Sequence, residues 1–79
     1  MGTTILVDRR GLRYYRQRRG LTQVQLAEKV RANGGRCSGD FIGKLERGDR
    51  RFLGVANYAA VVAVLNIDYD ELRVDLVAS

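Results

Sequence analysis

The stretch Gly20-Leu21-Thr22-Gln23-Val24-Gln25-Leu26-Ala27-Glu28-Lys29, followed after a Gly-rich break by Phe41-Ile42-Gly43-Lys44-Leu45-Glu46-Arg47-Gly48, decides the fold. Thr22 is an N-cap candidate, with Gln25 three residues on as in a capping box. The helix it opens turns Leu26, Ala27 and Val30 inward. Asn33-Gly34-Gly35 must break that helix. Ser38 then caps another, whose inward face is Ile42 and Leu45 with Phe41 joining them, and Gly48 ends it. Two short amphipathic helices joined by a turn in a basic surround have the layout of a module that reads duplex DNA, the first helix bracing the phosphate backbone and the second entering the major groove.

Outward from this centre, residues 3–7 are β-branched and apolar, which predicts a short strand. Asp8 can cap a first helix running to about Arg19, with Leu12, Tyr15 and Arg16 on one face and Arg9, Arg13 and Arg18 pointing outward. Gly11 weakens its opening turn, and Gly20 supplies the left-handed residue at its end. Residues 49–54 read as a loop with a basic centre. Helix four follows over 55–65, closed by Asn66. Ten of its eleven residues are apolar, Asn57 being the exception, and a helix apolar nearly all round needs cover on both sides. Asp68 with Glu71 predicts a second capping box and a short fifth helix through Leu72. Residues 73–77 alternate as a strand, so the two β-prone ends are expected to pair with each other or with those of a second copy, leaning on helix four.

Seventy-nine residues suit one domain spanning 1–79 with a limited core. Charge is uneven. Residues 1–51 hold 13 Lys+Arg against 5 Asp+Glu, a balance of +8, and residues 52–79 hold 1 against 4, a balance of −3. A basic front half suits a polyanion, because each phosphate neutralised releases condensed counterions; a merely solvated Arg-rich surface is the plain alternative. The chain has no His and one Cys, Cys37. The usual neutral-pH general base is therefore missing, and neither an intrachain disulfide nor a Cys-based zinc cluster can form. Cys37 reads as a reduced bystander in a loop. No enzyme, metal site, cofactor or small-molecule ligand is expected. Neither a membrane span nor a signal peptide is expected, which predicts a cytoplasmic location.

The chain resembles the phage-repressor (Cro/cI-like) helix-turn-helix family. The resemblance covers roughly residues 12–72 and rests on Arg-Gly-Leu-Thr-Gln (19–23), Leu-Ala-Glu-Lys (26–29), Ile-Gly-Lys-Leu-Glu-Arg-Gly (42–48) and Leu-Asn-Ile-Asp-Tyr-Asp-Glu-Leu (65–72), in order and at nearly the family's spacing. It implies a mainly all-α, five-helix, lambda-repressor-like domain with β-prone ends and a helix-turn-helix at about 22–47. It also implies a small Cro-type regulator that binds a palindromic operator as a homodimer. By this resemblance Gln23 grips a phosphate at the start of helix two, where Thr22 and the helix N-terminus add donors. Ser38, Gly39, Asp40 and Lys44 match positions facing base edges. Arg47, Arg50 and Arg51 match backbone-facing positions, and Arg16 with Glu46 matches a buried ion pair.

Two departures from that pattern carry expectations. The turn at 31–37 is about five residues longer than the family's, which predicts a mobile Gly-Gly loop projecting outward. Arg31 and Arg36 on it would either reach phosphate or belong to a tolerated surface loop. Within the recognition helix Gly39 and Gly43 would let the backbone approach DNA closely. Asp40 would either accept from a cytosine amino group or, more simply, stabilise the helix N-terminus. Lys44 is the best single candidate for a base contact, to guanine, with DNA shape carrying much of the specificity. Two other readings compete: a protein-binding module such as an antitoxin-like subunit, and a DNA-bending recombination accessory factor.

Overall fold

Four helix ends close in the same way, each with a residue of positive φ: Gly20 (70°), Gly34 (89°), Gly48 (85°) and Asn66 (55°). In a computed structural model that describes residues 3–74, these end helices α1 (Arg9–Arg18), α2 (Gln23–Ala32), α3 (Gly39–Arg47) and α4 (Val55–Leu65). At each end the next amide reaches back five residues: Leu21 N–H to Arg16 O, Gly35 N–H to Val30 O, Asp49 N–H to Lys44 O and Ile67 N–H to Val62 O, at 2.9 to 3.2 Å. This is the Schellman closure, which needs a left-handed residue that Gly or Asn supplies at least cost.

The opposite ends follow the sequence reading. Asp8 accepts from the amides of Arg10 and Gly11 at 3.1 and 3.2 Å. Thr22 and Gln25 complete a reciprocal capping box at 3.1 and 2.9 Å. Ser38 Oγ accepts from Phe41 N–H at 3.1 Å. A cap of this kind contributes about 1 kcal/mol. Gly11 is small for a packing reason: a Cβ there would stand 3.1 Å from Leu72 Cδ2.

The sheet differs from expectation. Strand β1 (Thr4–Leu6) pairs antiparallel with β2 (Phe52–Gly54), in register Thr4↔Gly54, Ile5↔Leu53, Leu6↔Phe52. Residues 52–54 therefore do not belong to a loop. The run is three residues long, with only Leu53 buried, too short to show alternation against its Arg-rich neighbours. The C-terminal segment still joins β1, through a bridge between Val7 and Arg73 and a hydrogen bond from Val74 N–H to Leu6 O at 2.9 Å. The remainder of the strand expected at 73–77 lies outside the described residues. The fifth helix is also corrected. Tyr69–Leu72 forms one 3₁₀ turn, and Asp68 makes no side-chain cap, so the second capping box does not form. That turn is held instead by Tyr58, whose hydroxyl donates to Tyr69 O, and by Tyr15, whose hydroxyl donates to Glu71 Oε2 at 2.8 Å.

Leu12, Leu26, Ile42, Leu45, Leu53, Tyr58, Leu65 and Leu72 are fully buried and, with Ile5 of β1, bind every element into one core. Helix α4 buries Tyr58, Val61, Val62 and Leu65. Its other side exposes Ala56, Ala59 and Ala63, with Val55 the one large side chain on it, 42% exposed. The cover expected on both sides is thus present on one, and the uncovered side is mostly alanine.

Candidate nucleic-acid interface

Helix α3 lies against the start of α2 more closely than a side chain at 39 would allow, and a side chain at 43 would press on Gln23. A Cβ on Gly39 would stand 2.7 Å from Val24 Cγ2 and 3.1 Å from Val24 Cα. A Cβ on Gly43 would stand 3.0 Å from Gln23 Oε1 and 3.1 Å from Arg47 Nη1. Both glycines therefore serve helix packing and the seating of Gln23. Gly39, expected at a base edge, faces Val24, and close approach of DNA is not what the geometry requires of either residue.

Gln23 is fixed by a relay through three helices. Arg16 grips Glu46 in two-pronged fashion, Nε to Oε2 at 2.5 Å and Nη2 to Oε1 at 2.9 Å, and its Nη1 donates to Leu21 O at 2.8 Å. Glu46 Oε1 in turn accepts from Gln23 Nε2 at 3.2 Å. The Arg16 and Glu46 side chains are 11% and 5% exposed. The Glu46 carboxylate holds the Arg16 guanidinium above its usual range, against the opposing effect of burial. The ion pair implied by the family resemblance is present, and it positions the residue at the head of α2 beside the outer face of α3.

That outer face carries Asp40, Lys44 and Arg47 at spacings of four and three, one stripe of an α-helix. Asp40 sits in the first turn, where a negative charge suits the helix dipole, and its carboxylate pairs with Lys44 Nζ at 3.3 Å. Arg47 Nε donates to Asp49 Oδ2 at 3.1 Å. Ser38, Arg50 and Arg51 are exposed. The outward end of α3 therefore presents two cations and one anion, with two further arginines immediately after it.

The long turn is ordered by its own contacts, contrary to the projecting loop expected from Asn33-Gly34-Gly35. Gly34 supplies the left-handed closure of α2. Gly35 is buried, and a Cβ on it would stand 2.5 Å from Val30 Cγ1 and 3.1 Å from Ala60 Cβ. Arg36 N–H donates to Asn57 Oδ1 at 2.7 Å, which gives the lone polar residue of α4 its task. Cys37 is 3% exposed in the core, not a bystander in a loop, and burial pushes its thiol up against the opposing effect of Arg31. Arg31 Nη1 donates to Cys37 O at 2.6 Å, so this guanidinium braces the turn; a phosphate role for it is not what the geometry favours.

Sequence reasoning missed Arg9. It is exposed, as its outward placement implies, yet its Nη1 donates to Arg47 O at 2.8 Å, capping the last turn of α3. A Cβ at Gly48 would stand 2.5 Å from that Nη1. Arg9 and Arg47 are 38 positions apart, and nothing in the local pattern signals the contact.

Among the described residues no group of three or more His, Cys, Asp or Glu could hold a metal ion, and no helix is long and apolar enough to cross a membrane. The family model described as a helix-turn-helix domain matches residues 9–76, most of the chain, and the protein belongs to that family. Comparison with curated proteins and with solved structures gave no match. Family and geometry agree on the coarse class: a helix-turn-helix domain of the kind found in DNA-binding regulators, α2 and α3 being its two helices.

Proposed function

We propose that the chain is a sequence-specific duplex-DNA-binding regulator of transcription that works as a repressor by occupying an operator, in the manner of the small Cro-type phage proteins it resembles. The observation that carries this reading is the immobilised Gln23, held by Glu46 at the N-terminus of α2, beside an exposed α3 stripe of Asp40, Lys44 and Arg47. Such an arrangement offers a backbone phosphate both a fixed amide side chain and the positive end of α2 while α3 lies along base edges. Lys44 is the base reader in this scheme. Thr22, Gln23, Arg47, Arg50 and Arg51 hold the backbone, and Ser38 and Asp40 border the bases. No catalytic step or cofactor enters it, and the protein works in the compartment that holds the DNA.

In this reading the protein binds a palindrome as a homodimer. The exposed apolar side chains Phe52 on β2 and Val55 on α4, at 49% and 42%, favour contact with a second polypeptide. The deciding experiment is selection of bound duplexes from a random pool by the purified chain. A palindromic consensus is the expected result. Recovery of unselected sequence would overturn the reading, and retention of duplex only when a second protein is supplied would favour the protein-binding alternative.

A further inference from the structure

A groove lies between the start of α1 and the segment that follows α3, and of its arginines only Arg50 and Arg51 have a part in the scheme above. It is open, about 350 Å³ in volume, and bordered by Arg9 and Arg10 on one side and by Gly48, Arg50 and Arg51 on the other. Asp8 also borders it, with Oδ1 accepting from the amides of Arg10 and Gly11. Four arginines from two distant segments thus line one concavity at the C-terminal end of α3, together with apolar residues such as Leu6 and Leu45. The Arg9 guanidinium is fixed by its bond to Arg47 O, with further N–H donors still uncommitted. The Arg10 side chain has no partner among the described residues.

Guanidinium clusters of this kind match phosphate oxygens, which they meet with paired donors. Placement then selects the source of the phosphate. The groove adjoins the C-terminal end of α3, next to Arg50 and Arg51, so a duplex seated along α3 would bring its backbone past it. We propose that this groove is a second phosphate-binding site, in which Arg10 and Arg9 join Arg50 and Arg51 in gripping a backbone phosphate that flanks the bases read by α3. The proposal rests on the duplex-binding reading and adds α1 to the contact surface.

The test uses the selected duplex and three full-length chains: wild type, Arg10→Ala and Arg10→Lys. Affinity is measured across a salt series, and again on duplexes carrying one uncharged methylphosphonate linkage, moved stepwise along each flank. The salt slope of Arg10→Ala should be shallower than wild type by about 0.9, one phosphate contact, with most of it restored in Arg10→Lys. One flanking methylphosphonate should weaken wild type more than it weakens Arg10→Ala, which keeps only Arg9, Arg50 and Arg51 on that phosphate. Thermal melting of Arg10→Ala should match wild type, because that side chain holds nothing in the fold. An unchanged slope in Arg10→Ala, or a methylphosphonate effect equal in both proteins, overturns the proposal. So does a groove that binds inorganic phosphate while duplex affinity ignores Arg10, since that assigns it to a free anion. A wild-type chain that binds no duplex at all fails the broader reading instead, and the two failures are therefore distinct.

Discussion

The carboxamide of Gln23 lies over the bare Cα of Gly43, with Gln23 Oε1 only 3.0 Å from where a Cβ would stand. The helix expected to enter DNA is thus notched to receive the residue expected to grip the backbone. Stability and binding should part company here. Gly43→Ala meets only the movable ends of Gln23 and Arg47, and it gains about 1 kcal/mol of helix propensity. Melting temperature should hold or rise, while affinity for the selected duplex falls because Gln23 is displaced. Gly39→Ala meets Val24 Cα and should lower the melting temperature. Calorimetry and binding isotherms on the two variants check this, and parallel losses in both would refute it.

Arg16→Ala removes one half of a buried pair and leaves Glu46 with Gln23 as its remaining partner. Breaking such a pair costs about 3–5 kcal/mol, which in a domain of this size lowers the melting temperature by more than about 10 °C. Arg16→Lys keeps the charge but not the two-pronged geometry and should fall between. A melting curve unchanged in Arg16→Ala would remove the relay that fixes Gln23.

The turn before α3 hangs on Asn57. Replacing it with alanine should cost about 1 kcal/mol, the worth of one hydrogen bond, and speed amide exchange at Arg36 specifically. Asn57→Asp keeps an acceptor at the same place and should retain the protection. Equal exchange at Arg36 in all three proteins would show that the 33–38 segment is held otherwise.

Reading and gripping should separate by mutation. Lys44→Ala is expected to lose about 1–3 kcal/mol on the preferred duplex and to relax base preference at one position. It also strands Asp40 without its cation on the surface that meets DNA. Arg50→Ala or Arg51→Ala should weaken all duplexes alike and flatten the salt slope. Competition binding against a set of single-base variants distinguishes the two, and identical profiles would count against the division.

Alkaline pH should loosen the fold. Burial raises the Cys37 thiol above its ordinary value of 9.0, and burial likewise raises the Tyr58 hydroxyl above 10.0. Each favours its proton more in the folded chain than in the unfolded one. Their contribution is therefore intact below about pH 9 and is lost as pH climbs from the unfolded value through the folded one. Urea midpoints at pH 7, 9 and 10.5 should fall in that order. Cys37→Ala should lessen the first part of the decline, and an equally steep decline without the thiol would assign it elsewhere.

Much of this architecture was legible where the signal is local. Asp8, Thr22 and Ser38 cap the helices expected of them, and Gly20, Gly48 and Asn66 close them, because caps depend on neighbours within a few residues. What escaped depends on partners far along the chain. Residues 52–54 pair with a strand almost fifty positions earlier, and Arg9 reaches Arg47. Gly35 is small because Ala60 lies against it. The Gly34-Gly35 pair misled for a related reason: glycine signals backbone freedom, yet one of these residues is a helix closure and the other a contact point in the core. Gly39 and Gly43 repeat the lesson, since nothing in the string says whether an absent side chain makes room for DNA or for the neighbouring helix.

The division of labour around α3 has a consequence for how such a protein changes its target. Nine residues are too few to stay helical alone in water, so the element exists only because Gly39, Ile42, Gly43, Leu45 and Glu46 are locked to the scaffold and Arg9 closes its far end. Ser38 caps the near end, whereas Asp40 and Lys44 pair with each other on the outer face. In the duplex-binding reading these two form an exchangeable lettering on a fixed frame, and rewriting them should redirect the protein to a new sequence with its melting temperature nearly untouched.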